Sequence, residues 1–324
     1  KQSKILYNRK IKIIFIFSLQ MEHKKAILLF GPTASGKSKL ALDIAKRFNA
    51  EIINADSMQV YKEIKILSAR PNNKSIKNHL YGFVSVKDSF SVGSWHKLAG
   101  TKIKEINKKG KIAIVVGGTG LYFKALVDGL AEIPEVQKID YSYLDSASRR
   151  IMQNHYSKRY PKIFEGINRN DIQRISRAIS VYESTGITLN EWQKKKNKKY
   201  IKSNEFIKIC IIPPKPELER RIKKRFLDML KKGAIHEAKK YQELDLSLNS
   251  LHTSNSIIGL REIESFLAKK ISMSELKEQV LIKTRQYAKR QFTWQRGQMR
   301  NWKGFDDTNY LDLRKKVLSY LSKT

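Results

Sequence analysis

The feature that most constrains this chain is the octapeptide Gly31-Pro32-Thr33-Ala34-Ser35-Gly36-Lys37-Ser38, which fits the pattern G-x-x-x-x-G-K-[ST]. Small residues here let backbone N–H groups wrap phosphate oxygens. The lysine supplies a compact positive charge, and the Ser38 hydroxyl suits Mg²⁺. The context favours a ligand loop over a bare glycine turn. The apolar run 26–30 (AILLF) precedes it, and Leu40, Ala41, Ile44, Ala45 and Phe48 follow at helical spacing. Gly31 through Ser38 are therefore expected to hold phosphate, and the motif does not say whose.

From Met21 onward, short apolar runs alternate with helical periodicity, the pattern of a parallel sheet covered by helices. Strands are expected at 26–30, 51–55, 112–116 and 206–212, and helices at 36–48, 94–108 and 119–126. Between 129 and 204 no strand signal appears. That stretch is polar, basic and helix-leaning, with the run KKKNKK (194–199) near its end. Pro213-Pro214 ends the last strand; helical spacing resumes over 217–232, and a long basic helix is expected over 273–298. The fold class is α/β, with a P-loop NTPase-like parallel-sheet core, a helical insertion and a helical C-terminal region. The core spans 21–128 and 204–324, the insertion 129–203. Residues 1–20 stand apart as a non-native or disordered extension. Their apolar run IKIIFIF is too short for a bilayer, and Met21 is read as the true first residue.

Lys+Arg number 65 against 30 Asp+Glu, a formal net charge of +35, which points to a polyanionic partner. Part of that excess is compositional, since the chain is also rich in Ile and Asn. The single cysteine, Cys210, excludes a disulfide framework and a four-thiolate metal site. A cytoplasmic location and a monomer are the expectations, with no segment apolar enough to cross a membrane.

Two more strand ends converge on the phosphate loop. Asp56 follows the strand at 51–55, at the carboxyl edge of the sheet. Its carboxylate suits a turn or helix cap, a metal ligand, or chemistry beside the loop. The strand at 112–116 runs into Gly117-Gly118-Thr119-Gly120, where paired glycines let backbone approach a ligand and Thr119 brings a hydroxyl. A tight strand-to-helix turn is the plainer reading of the same glycines.

The chain has no guanine-reading N-K-x-D and no protein-kinase signature set. It carries instead, in order, GPTASGKS, NADSMQVYKE, VVGGTGLYFKAL, DIQRISRAISVYESTG, IIGLREI and TRQYAKRQFTWQRG, spread from Gly31 to Gly297. This ordered set resembles the tRNA dimethylallyltransferase family, over nearly all of the chain after Met21. The resemblance implies transfer of a five-carbon group from dimethylallyl diphosphate to N6 of an adenosine beside the anticodon (position 37) of tRNA, with diphosphate leaving and Mg²⁺ as cofactor. It implies that the P-loop holds the prenyl donor's diphosphate rather than ATP. Asp56 matches the catalytic carboxylate, which would take the amine proton. Lys37, Thr119 and Arg261 match groups at the developing diphosphate charge, and Ser38 the metal side.

The resemblance also assigns contacts with the anticodon arm. They are Asp56, Ser57, Met58 and Gln59; Gln173, Arg174, Ile175, Ser176 and Arg177; and Arg261, Arg285 and Lys289. Arg174 and Arg177, three residues apart on a helix, suit one phosphate. Arg285, Lys289 and Arg296 fall near one stripe, with Tyr287, Phe292 and Trp294 between them as core or as stacking surface.

The chain departs from the family pattern in two places. Where the family runs Y-K-G-M-D-I-G-T-A-K-P, residues 61–71 read YKEIKILSARP, so Glu63 and Leu67 replace glycines and Arg70 a lysine. Residues 135–143 lack the arginine common there, with Lys138 a loose substitute. A prenyltransferase of free adenine nucleotides and a P-loop nucleotide kinase are the alternative readings; the 129–203 insertion and the TRQYAKRQFTWQRG block favour RNA.

Overall fold

A computed structural model describes residues 24–324 except 74, 138, 140, 142, 196 and 245–252. The extension at 1–20, Met21 and Lys138 lie outside the described residues. Strand β1 (Ala26–Phe30) is apolar and buried at every position, as a central parallel strand must be. Helix α1 (Lys37–Phe48) follows the phosphate loop and β2 (Ala50–Asn54) returns. Then come β3 (Asn78–His79), α2 (Val92–Lys108), β4 (Ile112–Gly117) and α3 (Gly120–Asp128). The insertion contributes α4 (Ser146–Arg159), α5 (Ile172–Thr185) and α6 (Leu189–Lys194). Strand β5 (Phe206–Ile211) re-enters the sheet, followed by α7 (Lys215–Lys231), α8 (Ala234–Gln242) and α9 (Leu260–Leu267). The chain closes with α10 (Met273–Gln298), β6 (Lys303–Phe305) and α11 (Tyr310–Leu321).

The sheet is parallel throughout, in the order β3-β2-β4-β1-β5-β6. Because β4 lies between β2 and β1, the loops leaving β1, β2 and β4 open side by side at one edge. That arrangement puts the phosphate loop, Asp56 and Thr119 together. One face of the sheet packs on α1 and α11 through Leu40, Ile44, Leu313 and Val317. The other packs on α2 and α3 through Trp95, Ile103, Phe123 and Leu126.

A third apolar cluster joins the segment after Asp56 (Val60, Ile64, Leu67) to α8, α9 and the start of α10. This segment holds the substituted glycine positions. Neither Glu63 nor Leu67 has a positive φ, so neither needs glycine; the left-handed residue here is Ala69, at φ 50°. Glu237 of α8 accepts from the amides of Lys65, Ile66 and Leu67 at 2.7, 2.7 and 2.8 Å. Arg70 donates to the Tyr61 carbonyl at 2.9 Å, and Glu63 accepts from the Val86 amide at 3.0 Å. The loop is thus fully tied down without its glycines.

The insertion leaves and rejoins the core through an antiparallel bridge between Leu130 and Lys198. It has its own small core of Ile163, Ile175, Ala178 and Ile179. Among the described residues, no helix is long and apolar enough to cross a membrane.

Candidate active site

The phosphate loop runs from β1 into α1 through two left-handed residues, Ala34 (φ 61°) and Gly36 (φ 88°). These turns curl the loop around a cavity of about 320 Å³ at the helix N-terminus. Lys37 and Ser38 line it, and Lys37 Nζ donates to the Pro32 carbonyl at 3.0 Å. Burial lowers the Lys37 pKa to about 8, against the pull of Asp56, while Arg225 pushes it the same way as burial. The Ser35 hydroxyl is buried within the loop and has no hydrogen-bond partner.

Two arginines that the sequence did not single out come from α7. Arg221 donates to the Ser35 carbonyl at 3.2 Å and is held by Glu217 at 2.6 Å. Arg225 donates to Thr33 Oγ1 at 2.9 Å. Burial lowers the Arg225 pKa, and the field of Asp56 opposes that shift. With Lys224 they close the cavity on the side facing Lys37, making a strongly cationic bowl. Their sequence signal was only a basic helix; their partners lie far away in the chain.

Asp56 occupies the turn after β2. Its Oδ1 accepts from the Met58 amide at 3.0 Å, the Asx-turn geometry. The turn is built on buried Asn54, whose Oδ1 accepts from the Asp56 amide at 2.9 Å and whose Nδ2 donates to the Asp56 and Leu80 carbonyls at 2.9 and 3.0 Å. Thr119 Oγ1 accepts from the Ser57 amide at 2.9 Å and donates to Ser57 Oγ at 3.2 Å. The Tyr287 phenol of α10 lies beside Thr119 and Asp56. Burial, with Asp56 nearby, pushes the phenols of Tyr287, Tyr122 and Tyr81 above their ordinary range. The turn therefore engages one oxygen of the Asp56 carboxylate, Oδ1.

The glycines at and after the end of β4 are needed for packing. A Cβ on Gly117 would lie 2.0 Å from the Ala55 carbonyl oxygen. One on Gly118 would meet Gln291 Nε2, and one on Gly120 the Trp294 ring, each at 2.2 Å. These glycines let β2 and α10 close on the site.

The structure turns three of the expected RNA contacts inward. Gln59 is buried and donates to the Ser68 carbonyl at 3.0 Å, so its amide serves the loop. Ile175 belongs to the insertion core, and buried Ser176 Oγ accepts from the Tyr141 amide at 3.3 Å. On the same helix Gln173, Arg174 and Arg177 are exposed. Ser57 and Met58 are half-buried beside Asp56. Arg285 and Lys289 are exposed along α10, whereas Phe292 and Trp294 pack into the interior. Arg261 occupies the exposed first turn of α9, in the layer that packs on the loop after Asp56; the arginines seen on the phosphate loop are those of α7.

Comparison with known proteins agrees with this geometry. The family model described as IPP transferase matches residues 59–298, and the one described as isopentenyl transferase matches 24–87. The chain belongs to the IPP transferase family. The tRNA dimethylallyltransferase of Pelagibacter ubique is 44% identical over 288 residues, covering 87% of this chain and 91% of the relative. That of Parvibaculum lavamentivorans is 38% identical, covering 92% and 96%. Among solved structures, the tRNA isopentenylpyrophosphate transferase of Bacillus halodurans superposes with a TM-score of 0.65 at 27% identity, covering 93% of this chain and 98% of that one. A eukaryotic dimethylallyltransferase acting on tRNA gives 0.69 at 30% identity, covering 84% and 70%. The resemblance read from the motifs thus extends to the whole fold.

Proposed function

We propose that this transferase moves a dimethylallyl group from dimethylallyl diphosphate to N6 of the adenosine at position 37 of tRNA, releasing diphosphate. The observation that carries the reading is the pairing of Asp56 with an open cationic bowl, lined by buried Lys37 and half-buried Arg221 and Arg225, at one sheet edge. An exocyclic adenine amine is a weak nucleophile because its lone pair is delocalised into the ring. Asp56 accepts the N6 proton as the new C–N bond forms. The allylic C–O bond breaks with its electron pair leaving on diphosphate. Lys37, Arg225 and the loop amides hold that charge where it develops. Thr119 keeps the Asp56 turn in register through the Ser57 amide.

The donor set suits Mg²⁺ as well. Such sites use one or two protein oxygens, with substrate phosphates and waters for the rest. The Ser38 hydroxyl in the cavity wall fits that need, and among the described residues no cluster of His, Cys, Asp or Glu offers a cage of its own. When bound, Mg²⁺ would neutralise charge on the diphosphate.

The acceptor is read as the anticodon arm. Arg174 and Arg177 on the insertion and Arg285 and Lys289 on α10 are exposed cations, and the relatives' names specify tRNA. The target adenine leaves its stack to reach Asp56, at a cost of a few kcal/mol that is lower in a loop than in a duplex. The test is release of diphosphate from mixtures containing donor, Mg²⁺ and unmodified tRNA. Release that requires both dimethylallyl diphosphate and tRNA supports the proposal. Phosphoryl transfer from ATP to a nucleotide, with no tRNA-dependent release, would replace it with the kinase reading.

A further inference from the structure

Helix α10 contributes more to this site than an RNA-facing surface. Tyr287, Gln291 and Trp294 stand four and three residues apart, so they share one face of the helix. Each meets a different part of the site. The Tyr287 phenol lies beside Thr119, and the Trp294 ring lies over Gly120. Between them Gln291, 4% exposed, accepts from the Thr33 amide on Oε1 at 2.8 Å and donates from Nε2 to the Gly118 carbonyl at 2.9 Å.

The two partners belong to different loops. Thr33 sits in the phosphate loop after β1; Gly118 precedes Thr119, which holds the Ser57 amide beside Asp56. An amide N–H only donates and a carbonyl only accepts, so the orientation of the Gln291 side chain is unambiguous. No other residue of this length is neutral and presents an acceptor and a donor on one planar group. Glutamate would set a negative oxygen against the Gly118 carbonyl, and methionine would leave both backbone groups unsatisfied.

We infer that Gln291 is a positioning residue that sets the spacing between the donor's diphosphate cradle and the Asp56–Thr119 side of the site. The inference rests on the proposed transfer and adds a residue to its machinery. Gln291 touches neither substrate; it acts through the Thr33 amide and the Gly118 carbonyl. The Thr33 N–H is thus taken by Gln291 and the Ser35 N–H by the Pro32 carbonyl at 3.2 Å, so neither amide is left for the diphosphate.

The experiment compares the parent with Gln291→Met and Gln291→Glu, in single-turnover transfer from enzyme preloaded with dimethylallyl diphosphate and tRNA. Gln291→Met is expected to slow the chemical step by about 10- to 100-fold, with tRNA affinity unchanged. Gln291→Glu supplies a readout that a general packing defect would not move. A protonated carboxyl both accepts and donates, as the amide does, and burial beside a carbonyl oxygen raises its pKa. The ratio of the Gln291→Glu rate to the parent rate should therefore rise at least about threefold as pH falls from about 8 to about 6. A Met variant within twofold of the parent would overturn the inference, as would a ratio flat with pH. If the Met variant fails to fold, the Glu ratio decides. A parent that transfers nothing would sink the proposed function instead. The affinity of parent and Gln291→Glu for inorganic diphosphate then judges the cradle: about tenfold weaker binding supports the inference and equal binding refutes it.

Discussion

Gly117→Ala should disable this protein more severely than any other single methyl addition near the site. The added Cβ would lie 2.0 Å from the Ala55 carbonyl oxygen, 2.1 Å from its carbon and 2.8 Å from its Cα. These are backbone atoms of the neighbouring strand end, so no rotamer change relieves the overlap. Restoring ordinary contact needs a shift of about 1 Å or more. Ala55 is bonded to Asp56, and its carbonyl accepts from the Thr119 amide at 3.2 Å, so that shift displaces Asp56 and its support together. A misplacement of about 1 Å can cost roughly 100-fold in turnover. Overpacking against backbone belongs at or above the upper end of the usual range of about 1–3 kcal/mol. That loss lowers the unfolding midpoint by roughly 2–4 °C per kcal/mol in a domain of this class. Gly118→Ala makes the contrast: its Cβ would lie 2.2 Å from Nε2 of buried Gln291, so a side chain rather than backbone must give way, and losing that side chain's bond to the Gly118 carbonyl should cost about 1–3 kcal/mol. The assay pairs thermal unfolding with single-turnover transfer for both variants. A Gly117→Ala protein that melts within about 2 °C of the parent and turns over within twofold would refute the reasoning.

Three further outcomes are expected. Asp56→Asn should slow turnover by about 100-fold or more while tRNA binding persists, checked by rate and gel-shift measurements together; unchanged turnover removes its role as base. Arg174→Ala should weaken tRNA binding and flatten its salt dependence by about one counterion, read from log Kd against log salt; an effect on donor affinity alone would contradict the RNA assignment. Lys37 gives a pH signature whose sign follows from burial. Its pKa of about 8 lies below that of an unfolded lysine, so between about 8 and 10.4 the unfolded chain binds the extra proton and folding stability rises with pH. A bound diphosphate needs the charged form. Donor affinity should therefore fall above pH 8, approaching tenfold per unit, with proton uptake on binding visible by calorimetry in buffers of different ionisation enthalpy.

Much of the architecture was legible because its strands are buried on both faces and read as continuous apolar runs. Strand β1 and helix α10 match the expected bounds, and β2, β4 and β5 fall within a residue of them. The edge strands β3 and β6, two and three residues long, are too short to carry a period. Residue type and strand position sufficed to bring the phosphate loop, Asp56 and Thr119 to one sheet edge. Arg221, Arg225 and Gln291 escaped because their roles depend on where α7 and α10 dock, which no local spacing encodes. Ile175 and Ser176 could have been read as inward, since Ile172, Ile175 and Ile179 recur at helical spacing. Gln59 gave no such warning: its carbonyl partner Ser68 lies in a loop whose path depends on Glu237. Glu63 and Leu67 looked disruptive against the family pattern, yet both have ordinary backbone angles.

The central claim is that one site joins a prenyl diphosphate to a tRNA adenine. It is tested most directly by giving the purified protein labelled dimethylallyl diphosphate and Mg²⁺, with unmodified tRNA and free AMP as competing acceptors. Label is expected in tRNA, recovered after digestion as an N6-modified adenosine from the anticodon loop. Label in AMP alone, with tRNA untouched, would contradict it.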